Sequence, residues 1–351
     1  MILFILLTAM LGFVVLFCSC LAYAAGSYVW CDWTSWAGWG ALIVSGCSGV
    51  ATALVGALET AATAVRRRWL PAMAPETEGT RHGFLRVAMA AGIVVASIFL
   101  GVYGMSEALR PPGVREVAVA IEGLPPELEG FRIAQITDLH ISPAIRRNWV
   151  QDLVVRVNGL NPDVIAFTGD IADGAPDEIR EDAAPLAGLT ARSGKFFVTG
   201  NHEYIHGAEA WMREMAEMGF TVLQNDHRLI ARGRASVLVG GVPDLRAHTS
   251  SPAEALGDGA GADVKILLAH RPESVAEAVE AGFDLQLSGH THGGLILPCA
   301  WLMSLVQPYQ SGLYRHRGTQ LYVSNGAGYW GVPLRLGVPS EIALLTLTRA
   351  K

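Results

Sequence analysis

Hydrophobic residues follow two different patterns along the chain. Residues 1–25 contain no charged side chain, a second apolar run at 38–65 contains only Glu59, and a third run covers 87–105. A bilayer core requires roughly 20 apolar residues in a helix, so each run predicts a transmembrane helix. Residues 1–110 are thus predicted to be a membrane domain of about three helices. A cleaved signal peptide is the alternative for the first run, which has a small-residue site at Ala22-Tyr23-Ala24 but lacks the usual positive start.

From residue 114 onward the pattern is that of a globular domain, which we place at 114–351. Short apolar runs predict strands at 114–122, 131–137, 164–168, 195–199, 236–240, 264–269, 284–288, 320–324 and 341–348. Helical spacing predicts helices at about 143–159, 176–189, 207–218 and 273–281. In the first of these, Ile145, Trp149, Leu153 and Val157 recur every four residues. The alternation of strands and helices predicts a layered α/β or α/β/β/α sandwich.

Composition supports this division. The 351 residues include 26 Lys plus Arg, 32 Asp plus Glu and 51% hydrophobic residues, and the mean hydropathy is +0.34. Residues 1–113 hold six Arg, no Lys and five acids, which leaves 20 bases and 27 acids for the rest. The globular part is therefore mildly acidic, which excludes a nucleic-acid-coating surface. Its single cysteine, Cys299, excludes an internal disulfide there.

Arginine placement predicts the orientation in the membrane. The loop between the second and third apolar runs contains five arginines, Arg66, Arg67, Arg68, Arg81 and Arg86. The only charged residue of the preceding loop is Asp32. Loops rich in Lys and Arg stay on the cytoplasmic side. We therefore expect a multi-pass protein of the cell membrane whose globular domain lies on the extracytoplasmic side. Membrane lipids are expected partners.

Polar side chains collect where the predicted strands end. Open α/β sheets place their ligands at the carboxyl ends of the strands. In order, these ends carry Asp138 and His140, Asp170, Asn201 with His202 and Glu203, His270, and finally His290 and His292. Carboxylate, amide and imidazole groups form a mixed N/O set that suits borderline divalent metals such as Mn, Fe or Zn. Five such motifs at five strand ends predict a metal site.

The order of these motifs resembles the calcineurin-like metallophosphoesterase superfamily, whose pattern is D-x-H, G-D, G-N-H-[ED], H and G-H-x-H. The match covers about residues 114–350 and is most similar to the membrane-anchored bacterial branch. The resemblance implies a four-layer α/β/β/α metallophosphoesterase-type sandwich, here preceded by an amino-terminal bundle of transmembrane helices. One departure is Leu295, where similar proteins often have Gln.

The resemblance also implies roles for the motif residues. The first of two metal ions would be held by Asp138, His140, Asp170 and His292. The second would be held by Asp170, Asn201, His270 and His290, so that Asp170 bridges the ions. Asp173 and Glu203 match neighbouring motif positions. His202 is the expected catalytic residue, which protonates the leaving oxygen or stabilises transition-state charge.

The implied function is a membrane-anchored phosphoesterase with two divalent metal ions. Such a pair can bind a bridging water, lower its pKa and stabilise both oxygens of an in-line displacement. The substrate is expected to be a phosphodiester or a lipid-linked phosphate. A lipid-linked substrate is suggested by the apolar stretch 295–306, which follows the last motif and could form a lipid-facing lip. Ordinary core packing is the alternative explanation of this stretch. Two other functions stay open: a non-catalytic metal-dependent membrane sensor or binding protein, and a nucleotide-lipid pyrophosphatase facing the cytoplasm.

Overall fold

A computed structural model describes Gly49 and residues 78–297, 300, 304–305, 307–331 and 333–350. The predicted helices at 1–25 and 38–65 lie outside the described residues, Gly49 excepted, and so do Arg66, Arg67 and Arg68. The chain divides into two compact units, Met1–Ser106 and Glu107–Lys351.

The first described helix, α1, covers Glu78–Leu109 and includes the third predicted span. Several large apolar side chains on it are exposed, with Val95, Phe99 and Val102 between 63 and 69% accessible. Within the described ranges, we find no helix that combines the length and the apolar character needed to cross a membrane. The last three residues of α1 belong to the second unit, in which Ala108 is buried and Trp149 donates a hydrogen bond to the Leu109 carbonyl (3.0 Å).

The second unit contains two six-stranded sheets. The first has the order β1-β12-β2-β3-β4-β5 and the second has the order β10-β11-β9-β8-β7-β6. The first is formed by β1 (Gly113–Ile121), β2 (Arg132–Ile136), β3 (Val164–Phe167), β4 (Lys195–Phe197), β5 (Thr221–Val222) and β12 (Glu341–Arg349). The second is formed by β6 (Asp226–Arg232), β7 (Ala235–Gly241), β8 (Val264–Leu268), β9 (Leu285–Ser288), β10 (Gly312–His316) and β11 (Thr319–Val323).

The central strands that carry the motifs run parallel within each sheet. In the first sheet β2, β3, β4 and β5 are parallel neighbours, and in the second β7, β8, β9 and β11 are. Parallel neighbours have their carboxyl ends at the same edge, so the chain segments that follow them start close together. This arrangement positions the residues described below.

Alternate side chains on the strands fill separate cores. Ile133, Val164 and Ala166 point between the sheets and pack against residues of the second sheet such as Val239 and Ile266. Their sequence neighbours point the other way and pack against the helices on the outer face, as the two-residue period of a strand requires. A further core covers the outer face of the second sheet, where Leu267 meets Ala278. The result is a mixed α/β fold in four layers, as predicted.

The helices of this unit are short. Those whose full length lies within the described residues are α2 (Arg147–Gly159), α3 (Pro176–Ala183), α4 (Asn201–His206), α5 (Ala208–Glu217), α6 (Pro252–Leu256) and α7 (Val275–Ala281). The region predicted as one helix at 176–189 is α3 followed by a 3-10 helix, Ala184–Gly188. Helices α4 and α6, and strands β5, β6 and β10, were absent from the sequence prediction.

The predicted start of the helix at 143 is wrong. Ser142 and Ile145 exchange two backbone hydrogen bonds (3.0 and 3.3 Å), which form a tight turn, and α2 begins at Arg147. Pro143 therefore lies in a turn, where proline is as favourable as at a helix start. Ile145 is fully buried although it lies before the helix, so its apolar character reflects burial alone.

Candidate metal centre

The motif residues predicted from the sequence meet at one edge of the two sheets. Asp138 and His140 follow β2, Asp170 follows β3, Asn201 and His202 begin α4 after β4, His270 follows β8, and His290 and His292 follow β9. A cavity of about 510 Å³ opens beside them, and its lining includes His140, Asp170, His202, His290 and His292. All the residues predicted as metal ligands therefore lie in one region.

Five of these residues adopt an unusual backbone conformation. Asp138, His140, Asp170, His290 and His292 have φ between +46° and +71°. Residues other than glycine rarely occupy this left-handed region because Cβ crowds the following carbonyl. Such strain concentrates at functional sites, where surrounding structure holds it in place.

A first group of ligand atoms comes from Asp138, His140 and His292. The atoms of the group lie within 4.8 Å of one another. His140 Nε2 is 3.1 Å from His292 Nε2, and His292 Nε2 is 3.4 Å from Asp138 Oδ1. Two imidazole nitrogens and a carboxylate oxygen thus point at a common centre.

A second group comes from Asp170, His270 and His290, with the same spacing limit. Asn201 adds its amide oxygen, which lies 3.1 Å from His270 Nε2. Asp170 Oδ2 lies 3.3 Å from His270 Nε2 and 3.7 Å from His140 Nε2. One carboxylate oxygen of Asp170 therefore lies between the two groups.

The protonation of two histidines fits metal binding. His140 Nδ1 is 2.7 Å from the Asp173 carboxylate, and His270 Nδ1 is 2.8 Å from the Thr168 carbonyl. Both oxygens can only accept from these nitrogens, so each Nδ1 carries the proton. A metal ion would displace any proton from each Nε2, and the Nε2 lone pair would then be directed into its group, which is the tautomer that metal ligation uses.

Two glycines allow the close approach of the motif turns. A Cβ at Gly200 would lie 2.2 Å from Asp170 Oδ1, and a Cβ at Gly289 would lie 2.1 Å from Asp138 Oδ2. Neither distance is compatible with a side chain. The glycines of the G-N-H and G-H-x-H motifs therefore give room to the two carboxylates.

His202 lies between the ligand groups and the cavity. Its backbone N–H donates to Asp170 Oδ1 (2.9 Å), and its ring is edge-on to that of His140, with centroids 4.6 Å apart. Its Nδ1 is 2.8 Å from Asp173 Oδ1, an ion-pair contact that is not aligned for a hydrogen bond. Because Nδ1 faces Asp173, Nε2 is the nitrogen free to exchange a proton.

Comparison with known proteins agrees with this arrangement. A family model described as calcineurin-like phosphoesterase matches residues 131–294. An uncharacterised metallophosphoesterase of Campylobacter jejuni is 34% identical over 285 residues, which cover 80% of this chain and 75% of that protein. One of Bacillus subtilis is 31% identical over 278 residues, covering 74% of this chain and 93% of that protein. This chain belongs to the calcineurin-like phosphoesterase family.

The resemblance to this superfamily is thereby confirmed. A transmembrane protein with a metallophosphoesterase domain from Danio rerio is 35% identical over 287 residues, or 78% of this chain. The chain covers 65% of the fish protein's own length, which is less than two thirds.

Electrostatics keep two carboxylates of the candidate metal centre ionised. Burial raises the pKa of Asp170, but the charges of His270 and His140 outweigh it and hold the pKa far below its ordinary value. Burial also raises the pKa of Asp173, but the contacts of this carboxylate with His140 and His202 outweigh burial, so the pKa of Asp173 lies below its ordinary value. Metal ligands must be deprotonated, and Asp170 meets that condition at neutral pH.

The four histidines of the two ligand groups fall into two classes according to the direction of their pKa shifts. Burial lowers the pKa of His140 and His270, yet nearby carboxylates raise these values to about 9 and about 10. Burial lowers the pKa of His290 to about 3, helped by the charges of His270 and Arg271. Burial and the charge of His140 also place the pKa of His292 well below its usual value. His290 and His292 are therefore neutral at pH 7, as ligands require.

Arg335 is a buried residue of the centre that the sequence prediction missed. It is 1% exposed and donates to the carbonyls of Gly328, Asn325 and Val338 at 2.5–3.1 Å. Its Nη2 lies 3.5 Å from His292 Nδ1. It holds the loop after β11 against the first ligand group. An isolated arginine in a loop has no pattern that distinguishes it from a surface residue.

The sequence prediction also missed three charged residues near the cavity, Asp244, Arg246 and Arg271. Arg246 and Arg271 line the cavity, and Asp244 is buried beside them. Asp244 follows β7 as Asp170 follows β3, so the strand-end rule that identified the other residues would have identified this one. Arg271 directly follows His270 in the sequence.

Proposed function

We propose that this protein is a metal-dependent phosphoesterase with two divalent ions, Mn, Fe or Zn. The observation that carries the proposal is the position of Asp170 Oδ2 between two groups of ligand atoms, 3.7 Å from His140 Nε2 and 3.3 Å from His270 Nε2. A carboxylate in that position can bridge two cations. When bound, such ions lower the pKa of a coordinated water and stabilise charge on the phosphoryl oxygens.

In this proposal the first ion is held by Asp138, His140, Asp170 and His292. The second is held by Asp170, Asn201, His270 and His290. The donor chemistry supports both sets, because each combines carboxylate oxygen with imidazole nitrogen and contains no thiolate.

His202 is the proposed proton donor to the leaving oxygen. Its side chain lines the cavity, and its Nδ1 contact with Asp173 Oδ1 (2.8 Å) orients the ring. An imidazole held in this way can present its Nε2 proton to the departing oxygen. The apposed Asp170 carboxylate fixes the backbone of His202 through the 2.9 Å hydrogen bond.

The test is hydrolysis of bis-p-nitrophenyl phosphate and p-nitrophenyl phosphate by the detergent-purified full chain with Mn²⁺ or EDTA. We expect turnover that requires metal and is abolished in Asp170→Asn. Asp152→Asn is the matched control, because Asp152 is exposed on α2. The diester-to-monoester ratio narrows the substrate class. Absence of turnover from metal-loaded, folded protein on these and on lipid esters would contradict the proposal and favour a non-catalytic role.

A lipid-linked phosphate ester is the proposed natural substrate. Two apolar side chains that line the cavity, Ile205 and Trp330, are 51 and 55% exposed. In the predicted lip at 295–306, Leu297 and Leu305 are 41 and 81% exposed, whereas Trp301 and Leu302 lie outside the described residues. Exposed apolar groups beside a phosphoesterase cavity favour a substrate with an acyl or prenyl chain.

Trp330→Ser tests the lipid proposal. We expect kcat/KM to fall about tenfold more for phosphatidylglycerol or phosphatidic acid in micelles than for the aryl phosphates, since aromatic contact with the lipid chain is lost. Leu229→Ser is the control, because Leu229 is 57% exposed on β6 and does not line the cavity. Equal losses on lipid and aryl substrates would contradict a lipid-binding role for this wall.

Membrane anchoring with an extracytoplasmic catalytic domain is part of the same proposal. It is supported by the apolar runs before residue 106, by the arginines at 66–68, 81 and 86, and by the name of the fish relative. A reporter fused after Lys351 tests the side. Activity of an extracytoplasmic reporter is expected, and activity of a cytoplasmic one would favour the nucleotide-lipid pyrophosphatase alternative.

A further inference from the structure

The cavity beside the ligand groups is larger than the phosphate that the proposed reaction requires. Its volume of about 510 Å³ falls among pockets that enclose whole small-molecule ligands. Besides the motif residues, its lining includes Arg246 and Arg271. Neither arginine has a role in the function proposed above.

Arg271 is held by a buried carboxylate. Its Nε donates to Asp244 Oδ2 at 2.9 Å, and the Asp244 side chain is fully buried. Asp244 Oδ1 accepts the backbone N–H of Arg246 at 2.9 Å, and the Asp244 N–H lies 3.3 Å from Thr199 Oγ1. Asp244 therefore fixes Arg271 and the backbone of Arg246 in one place.

The far end of Arg271 remains available. The Asp244 contact uses Nε, and Nη1 and Nη2 make no hydrogen bond to the part of the chain that the structure describes. The side chain is 23% exposed. An Nε–carboxylate bond leaves the two terminal nitrogens of the guanidinium free. These two nitrogens form a planar fork that binds carboxylate or phosphate oxygens in a bidentate manner.

The charge balance also favours an anion. Arg246 and Arg271 carry two positive charges, and Asp244 supplies one negative charge, so this corner of the cavity has a net charge of about +1 before any metal is bound. The corner lies at the ends of β7 and β8. It adjoins the second ligand group, because Arg271 directly follows His270 in the chain.

We propose that Arg271, positioned by Asp244 and assisted by Arg246, forms a subsite for a second anionic group of the substrate, a phosphate or carboxylate separate from the scissile phosphate. This inference rests on the proposed phosphoesterase function. It narrows the substrate to phosphate esters that carry a further negative charge within the reach of the cavity.

The test compares two ligands that differ at one end. Glycerol 3-phosphate ends in a hydroxymethyl group and 3-phosphoglycerate ends in a carboxylate. Their Kd values are measured by calorimetry on the Mn²⁺-loaded, detergent-purified full chain, with each ligand supplied as its phosphonate analogue, in which a methylene group replaces the ester oxygen and prevents hydrolysis. We expect the wild-type protein to bind 3-phosphoglycerate more tightly, and Arg271→Gln to reduce that preference about tenfold, which corresponds to a lost charge-assisted contact.

Three further variants separate the explanations. Arg228→Gln is the control, because Arg228 is exposed on β6, pairs with Asp226 and does not line the cavity; it should keep the wild-type preference. Arg271→Lys retains the charge without the fork and should keep part of the preference. Asp244→Asn weakens the contact that holds Arg271 but keeps the charge of this arginine. The preference for 3-phosphoglycerate should therefore fall. Thermal unfolding of each variant checks that it folds.

Two results would overturn the subsite. If Arg271→Gln weakens both ligands by the same factor, Arg271 contacts the shared phosphate instead. If both Kd values are unchanged, Arg271 contacts neither group. Because calorimetry does not require turnover, a protein that binds with the expected preference but hydrolyses no ester would contradict the proposed function and leave the anion subsite standing.

Discussion

Asp173 contacts two histidines with one carboxylate oxygen. Its Oδ1 lies 2.7 Å from His140 Nδ1 and 2.8 Å from His202 Nδ1. The contact with His140 directs that ring's Nε2 into the first ligand group, and the contact with His202 orients the proposed proton donor. At the scale of single residues, the proposed metal binding and the proposed proton transfer would therefore depend on the same carboxylate.

His202→Ala separates the two roles. We expect kcat to fall at least about a hundredfold, the usual effect of losing a positioned general acid, while bound metal measured by atomic emission stays near the wild-type value. His316→Ala is the control, since His316 lies at the end of β10 and is not among the residues that line the cavity. A metal-replete His202→Ala protein with normal turnover would remove His202 from the mechanism.

At the scale of elements, Glu203 joins two of the turns that carry ligands. Its buried carboxylate accepts backbone N–H bonds from Asp170 (2.9 Å) and Ile171 (2.7 Å), after β3, and from Gly200 (2.6 Å), after β4. Burial, together with the charge of Asp170, raises the pKa of Glu203 to about 7 in spite of these bonds. Glu203 thus fixes the position of the proposed bridging carboxylate through these backbone hydrogen bonds.

Glu203→Gln should loosen this connection. The amide can present one acceptor oxygen instead of two, so at least one buried N–H loses its partner. We expect the free energy of unfolding to fall by about 2 kcal/mol and metal affinity to fall with it, measured by urea denaturation and metal titration. Glu209→Gln on α5, whose side chain is 88% exposed, should change neither quantity. Wild-type values in Glu203→Gln would mean that the turns are held in place by other contacts.

At the scale of the whole molecule, each ligand group combines residues from both sheets. The first sheet supplies Asp138 and His140 to the first group, and the second sheet supplies His292. The second group joins Asp170 and Asn201 from the first sheet to His270 and His290 from the second. A cation in either group would therefore cross-link the two sheets, and the unfolded chain would have no equivalent site.

Metal should stabilise the folded protein accordingly. A ligand that binds only the native state at a hundred times its Kd contributes about 2.7 kcal/mol. We expect Mn²⁺ to raise the Tm of the full chain by several degrees and EDTA to reverse the change. Asp170→Asn should lose most of this response, while Asp152→Asn should keep it. An identical Mn²⁺ response in Asp170→Asn would exclude Asp170 as a ligand shared by both ions.

The sequence by itself determined the position of the centre, because each motif residue is local to a buried strand. Asp138, Asp170, His270 and His290 all follow short apolar runs, and parallel strands bring such ends to one edge. It also determined the layered α/β class, since strand and helix periods can be recognised over a few residues. The motif order was sufficient to predict the family.

The tertiary structure alone decided which other residues join them. Asp244 acts through a residue that is distant in sequence, because its partner is the Arg271 guanidinium. Arg335 binds carbonyls of its own loop, those of Gly328 and Val338, and only the fold brings that loop beside His292. The short elements α4 and β5 have too few residues for a period to develop, and they form because packing and pairing stabilise them. A buried charge is distinguished from a surface charge only by the groups that surround it, and the folded chain brings those groups together.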